Sequence, residues 1–124
     1  MHIDHINISA PMVLLQELRD FYCHVLDLND GSRPSFSSAG FWLYSGSKAI
    51  IHLSESREHE GAGQQGFFDH FAIRAQNLAK VTDKLDAIGV PYRKVHLTDI
   101  GLHQVFFKDP SGTGVEVNST SETL

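Results

Sequence analysis

Ile3-Asp4-His5-Ile6-Asn7-Ile8 opens the chain, and Phe68-Asp69-His70-Phe71-Ala72-Ile73 repeats its pattern 65 residues later. Both stretches read apolar, Asp, His, apolar, any residue, Ile. A second pair echoes the first: Ile51-His52-Leu53 and Val115-Glu116-Val117, with His52 and Glu116 64 residues apart. An offset of that size is about half of a 124-residue chain, so the sequence reads as a duplication. A repeat constrains the fold more strongly than any single element does.

Around the first copy, residues 2–9 alternate with period two. Ile6 and Ile8 share one face; Ile3, His5 and Asn7 share the other. That is the pattern of a half-buried strand. Ala10-Pro11 breaks it. Leu14, Leu15, Leu18, Phe21, Tyr22, Val25 and Leu26 then recur at intervals of three and four, which predicts an amphipathic helix. Asn29-Asp30-Gly31-Ser32 reads as a turn. Residues 40–45 and 49–53 read as a hairpin across Ser45-Gly46-Ser47.

The second half repeats this order. Residues 67–74 read as a strand. Asn77 caps a helix whose buried stripe is Leu78, Val81, Leu85 and Ile88, and Gly89 with Pro91 ends it. Strands follow over 92–97, 103–108 and 114–118, with Asp109-Pro110-Ser111-Gly112 as a turn between the last two. The polar tail from Ser119 is expected to fray. The predicted fold class is α+β, built from tandem βαβββ modules over about 1–54 and 67–118. A linker over 55–66, polar and with glycine, joins them and is expected to act as a lid.

The repeat singles out four polar positions. Each helix must cover one face of its sheet. Ile6, Ile8, Ile51, Leu53, Phe71, Ile73, Val115 and Val117 have the parity for that face. His5, His52, His70 and Glu116 have the opposite parity. Two curved sheets facing each other would gather the four at one cavity. Three imidazoles and a carboxylate form a plausible divalent-metal site. A lone strand histidine is usually packed or solvated, but four at matched repeat positions are not readily accidental. His2, His24, His59 and His96 lack this register and are expected at the surface; His103 is expected to be structural.

Bulk properties narrow the classes. Hydrophobic content of 41% and charged content of 20% are ordinary for a globular protein. The net charge of −5 argues against nucleic acid as a partner. No stretch approaches the roughly 18 apolar residues of a membrane span, and no signal peptide is read at the N-terminus. A single cysteine, Cys23, fits a reducing cytoplasm.

The motifs at 4–8, at 69–73 and at 106–117 (Phe-Phe-Lys-Asp-Pro-Ser-Gly-Thr-Gly-Val-Glu-Val) resemble the vicinal oxygen chelate superfamily. That family includes glyoxalase I, fosfomycin-resistance proteins, bleomycin-resistance proteins and extradiol dioxygenases. The resemblance implies a curved, open-barrel mixed sheet around a metal-binding cavity, and a homodimer. It implies that His5, His70 and Glu116 form the two-His, one-carboxylate ligand set, with His52 as a fourth ligand or an acid–base group. Trp42, Tyr44 and Phe106 would be cavity aromatics, with Gln104 and Asn7 as polar lining. The metal would be Fe, Mn, Ni, Co or Zn, since this ligand set does not choose.

This chain departs from particular branches. Ser9 stands where glutathione-using glyoxalase I has an arginine. Phe106 stands where fosfomycin-resistance proteins have a tyrosine, and 96–101 lacks their lysine-bearing loop. Bleomycin-binding members lack the metal ligands present here. The expectation is therefore a metal-dependent lyase or isomerase of the glyoxalase kind, with Glu116 and His52 catalytic and a small oxygen-chelating substrate. The alternatives are an Fe-dependent extradiol-type dioxygenase and a non-catalytic small-molecule binding or resistance protein.

Overall fold

A computed structural model describes residues 1–57 and 66–120. The chain divides into two units, Met1–Gly63 and Gln64–Leu124. In the first, β1 (Ile6–Ala10) leads into α1 (Met12–Val25), then β2 (Asn29–Gly31), β3 (Gly40–Ser45) and β4 (Lys48–Glu55). In the second, β5 (His70–Arg74) leads into α2 (Leu78–Ala87), β6 (Arg93–Leu97), β7 (Leu102–Lys108) and β8 (Gly114–Ser119). Each unit is thus βαβββ, as the duplication predicts. Most of the 55–66 linker lies outside the described residues.

The two four-stranded sheets have the same topology, β1-β4-β3-β2 and β5-β8-β7-β6. In each, the first strand runs parallel to the last, and the remaining pairs are antiparallel. The sheets are mixed and neither closes into a barrel.

The registers are also duplicated. Ile6 stands opposite Ile51 and Asn7 opposite His52; Phe71 stands opposite Val115 and Ala72 opposite Glu116. The apolar parity supplies the core of each unit, although β8 is buried on both parities. Leu15, Leu18, Tyr22 and Val25 of α1 are buried, as are Leu43, Ile51 and Leu53 of the sheet on which α1 packs. In the second unit the core comprises Leu78, Val81 and Leu85 with Val105, Phe107, Val115 and Val117.

Four local expectations are corrected. Asn29–Gly31 is a strand, not a turn, because Asn29, Asp30 and Gly31 pair with Tyr44, Leu43 and Trp42. The first strand starts at Ile6 rather than near residue 2, since pairing with β4 begins there. Ile88 is exposed, and Thr82 takes its place on the buried face of α2. Ser119 does not fray: it is fully buried at the end of β8, opposite His103.

Candidate metal centre

Each unit brings two of the four repeat-matched residues together. In the first unit the His5 and His52 rings stack at 3.7 Å, and Trp42 stacks on His52 at 4.1 Å. The register explains this. Asn7 is opposite His52 in the parallel pair, Trp42 is opposite His52 in the antiparallel pair, and His5 shares the face of Asn7. In the second unit His70 Nε2 lies 3.2 Å from Glu116 Oε1. Phe106, opposite Glu116 in the ladder, meets His70 edge-on at 5.7 Å.

An aspartate precedes each first-strand histidine and fixes its tautomer. His5 Nδ1–H donates to Asp4 Oδ2 at 2.8 Å, and His70 Nδ1–H donates to Asp69 Oδ2 at 2.7 Å. With Nδ1 occupied, Nε2 is the ring nitrogen that remains, an arrangement like that by which a carboxylate orients a metal-binding imidazole. From the sequence, no role was assigned to Asp4 or Asp69. The visible signal for their role was the duplicated Asp-His dipeptide itself.

Glu116 is buried and its carboxylate is fully engaged. Oε1 faces His70, while Oε2 accepts from Gln104 Nε2 at 3.1 Å and from Asn118 Nδ2 at 2.6 Å. Arg74 Nε in turn donates to Asn118 Oδ1 at 2.5 Å. Asn118 and Arg74 were not singled out from the sequence, although Asn118 shares the parity of Glu116. Gln104, expected as substrate lining, holds the carboxylate instead.

The two histidines with shifted pKa values move in opposite directions. The Asp69 hydrogen bond, helped by the negative charge of Glu116, raises His70 above its ordinary 6.5. Burial, with a smaller push from His5, lowers His52 below its ordinary 6.5. His52 Nε2 lies 3.2 Å from the Ala49 carbonyl oxygen and must carry the proton there. Its Nδ1 then keeps the lone pair.

Whether these residues suit a metal can be judged from the donor atoms. The 3.2 Å between His70 Nε2 and Glu116 Oε1 is near the spacing of two adjacent ligands on one ion, about 3 Å for bonds of about 2.1 Å. One nitrogen and one oxygen donor suit a first-row divalent metal. Among the described residues, no group of three or more His, Cys, Asp or Glu is already gathered around one point.

The other expected site residues divide between two cavities and one strand. Asn7, Trp42 and His52 line a cavity of about 290 Å³ in the first unit, together with Arg33 and Phe36. His70 and Phe106 line one of about 430 Å³ in the second, with Tyr92, Arg93 and Lys108. Tyr44 lines neither. Its hydroxyl donates to the Ser32 carbonyl, and its ring lies so close to Gly31 that a Cβ there would meet it at 2.7 Å.

Residues 2–117 match the family model of the Glyoxalase/Bleomycin resistance protein/Dioxygenase superfamily. No curated protein matches the chain. Solved structures do. A glyoxylase/bleomycin resistance protein/dioxygenase domain from Frankia sp. is 16% identical over 96% of this chain and 97% of its own, with a TM-score of 0.73. Lactoylglutathione lyase from Agrobacterium tumefaciens is 20% identical over 95% and 92%, with a TM-score of 0.65. A mutant fosfomycin resistance protein from Listeria monocytogenes, complexed with Mn(II) and 1S,2S-dihydroxypropylphosphonic acid, is 16% identical over 99% and 94%, with a TM-score of 0.69. At these identities the structural likeness speaks for the fold alone.

Proposed function

The chain belongs to the glyoxalase/bleomycin resistance/dioxygenase superfamily, and from that premise we propose a metal-dependent enzyme acting on a small oxygen-chelating substrate, with lyase or isomerase chemistry. The observation that carries this reading is the duplicated Asp-His pair, which presents His5 Nε2 and His70 Nε2 as oriented donors, the second beside Glu116. His5, His70 and Glu116 would hold the ion, with His52 beside it as a fourth ligand or as an acid–base group. When bound, a divalent ion would chelate two neighbouring substrate oxygens and act as a Lewis acid on a developing enolate or alkoxide.

The chain's own groups supply proton transfer and positioning. Gln104 and Asn118 hold Glu116 Oε2, so Oε1 is the oxygen turned toward the reacting side. Lowering of its pKa keeps His52 neutral at physiological pH, as a general base must be. Its unprotonated Nδ1 is the atom that can accept a proton. The Trp42 stack holds the ring at a fixed tilt, 14° between planes.

One observation favours a second reading. His52 Nε2 is already taken by the Ala49 carbonyl, which suits an acid–base role beside a three-ligand ion, as in an extradiol-type dioxygenase. Aerobic incubation of the Fe(II)-loaded protein with catechols separates the two. Oxygen uptake supports the dioxygenase; its absence, with metal-dependent turnover of a methylglyoxal hemithioacetal formed with glutathione or a smaller thiol, supports the lyase.

A further inference from the structure

We propose that the cavity beside His52 binds the anionic end of the substrate, a carboxylate or another oxyanion, through Arg33. The inference rests on the reading of this cavity as a substrate site and adds the charge of the substrate to it. Arg33 stands in the connection between β2 and β3. Its Nη1 donates to the Ser38 carbonyl at 2.9 Å, and its Cζ lies 4.7 Å from the Phe36 ring centroid. Those two contacts fix the guanidinium in place.

Among the described residues the guanidinium lacks a counter-charge: no carboxylate pairs with Arg33. The described lining of the cavity contains no aspartate or glutamate. Arg33 Nε is buried and has no hydrogen-bond partner among the described residues. An arginine cannot shed its proton to relieve this, and a partly buried cation without an anion is costly. A planar donor fork is matched by a carboxylate or phosphonate, which takes two parallel hydrogen bonds.

The rest of the lining sets the size and character of the group. Phe36 and Trp42 contribute two aromatic rings, 6.1 Å apart, while Ser38 and Ser54 add polar edge. A volume of about 290 Å³ falls at the small end of ligand cavities. That favours a compact acid carrying a flat apolar body. Arg33 thus sets specificity for an acid over its neutral analogue.

The chain has one tryptophan, Trp42, and it lines this cavity, so its emission reports occupancy directly. The test titrates chelator-treated protein with benzoate and, separately, with its uncharged analogue benzamide. We expect saturable quenching by benzoate at a Kd at least about tenfold below that of benzamide. Arg33→Met should erase the difference, and Arg33→Lys should keep part of it. Because Arg33→Met also releases the Ser38 carbonyl, a second arm raises ionic strength on the unaltered protein. That should weaken benzoate and leave benzamide unchanged. Absence of benzoate quenching, equal affinities for the two probes, or a benzoate preference that survives Arg33→Met would overturn the proposal. Since no metal is present, these outcomes are independent of whether the metal reading holds.

Discussion

Each Asp-His dipeptide turns a flexible imidazole into an oriented donor at the cost of one exposed carboxylate. The protonation consequences follow in sign. His70 binds its proton more tightly folded than unfolded. Its contribution to stability is therefore full below the unfolded value of about 6.5 and is lost as pH rises through the raised folded value. His52 runs the other way: its contribution is full above about 6.5 and is lost as pH falls through its lowered folded value. Asp69→Asn removes the main cause of the first shift, so the His70 midpoint should fall toward 6.5 in an NMR titration of its ring protons. An unmoved midpoint would show that Glu116 alone sustains it. An ion held as proposed would compete with the proton for His70 Nε2, so metal affinity should also rise with pH across the His70 titration. At this scale the sequence showed which residues share a face better than what each of them touches. His5, His52, His70 and Glu116 stood out by parity, but the engagement of Gln104 with Glu116, and of Tyr44 with Ser32, depends on side-chain reach that period-two patterning does not encode.

Close approach between elements positions His70. A Cβ on Gly114 would stand 2.3 Å from the Asp69 carbonyl oxygen and 3.0 Å from His70 Cβ. Gly114→Ala should therefore displace the start of β5, lowering both thermal stability and metal affinity. A drop in melting temperature with unchanged metal affinity would separate Gly114 from the site. The α2 cap is independent of it: Asn77 Oδ1 accepts from Lys80 N at 3.1 Å, and Asn77→Ala should cost about 1 kcal/mol in denaturant unfolding while metal binding stays intact. Long elements were legible because their apolar period is unmistakable, as in α1 and β4. The β2 strand was not, since Asn-Asp-Gly is turn chemistry and only its ladder to β3 makes it extended. The end of α2 misled for a related reason: Ile88 continues the heptad spacing, but it is the C-cap residue, past the helical turn that faces the sheet.

For the molecule as a whole, the duplication is the organising fact. It is legible in sequence because the same register recurs in both sheets, so matched positions fall on matched faces. Each sheet ends in outer strands, β1 and β2 in one and β5 and β6 in the other, edges that proteins pair or cover. A two-fold homodimer is the expected assembly, and sedimentation at working concentration should give twice the 13.8 kDa chain mass. Among the described residues no helix is long and apolar enough to cross a membrane. The central claim is that His5, His52, His70 and Glu116 together serve one divalent ion. Metal analysis after exposure to Mn, Fe, Ni, Co and Zn and exhaustive dialysis tests it most directly. The account predicts about one ion per chain in the unaltered protein. It predicts that Glu116→Ala binds metal more weakly by more than the roughly 10–100-fold that loss of an outer partner costs. Stoichiometric metal in a His70→Ala/Glu116→Ala double variant, or none of the five metals retained by the unaltered chain, would contradict it.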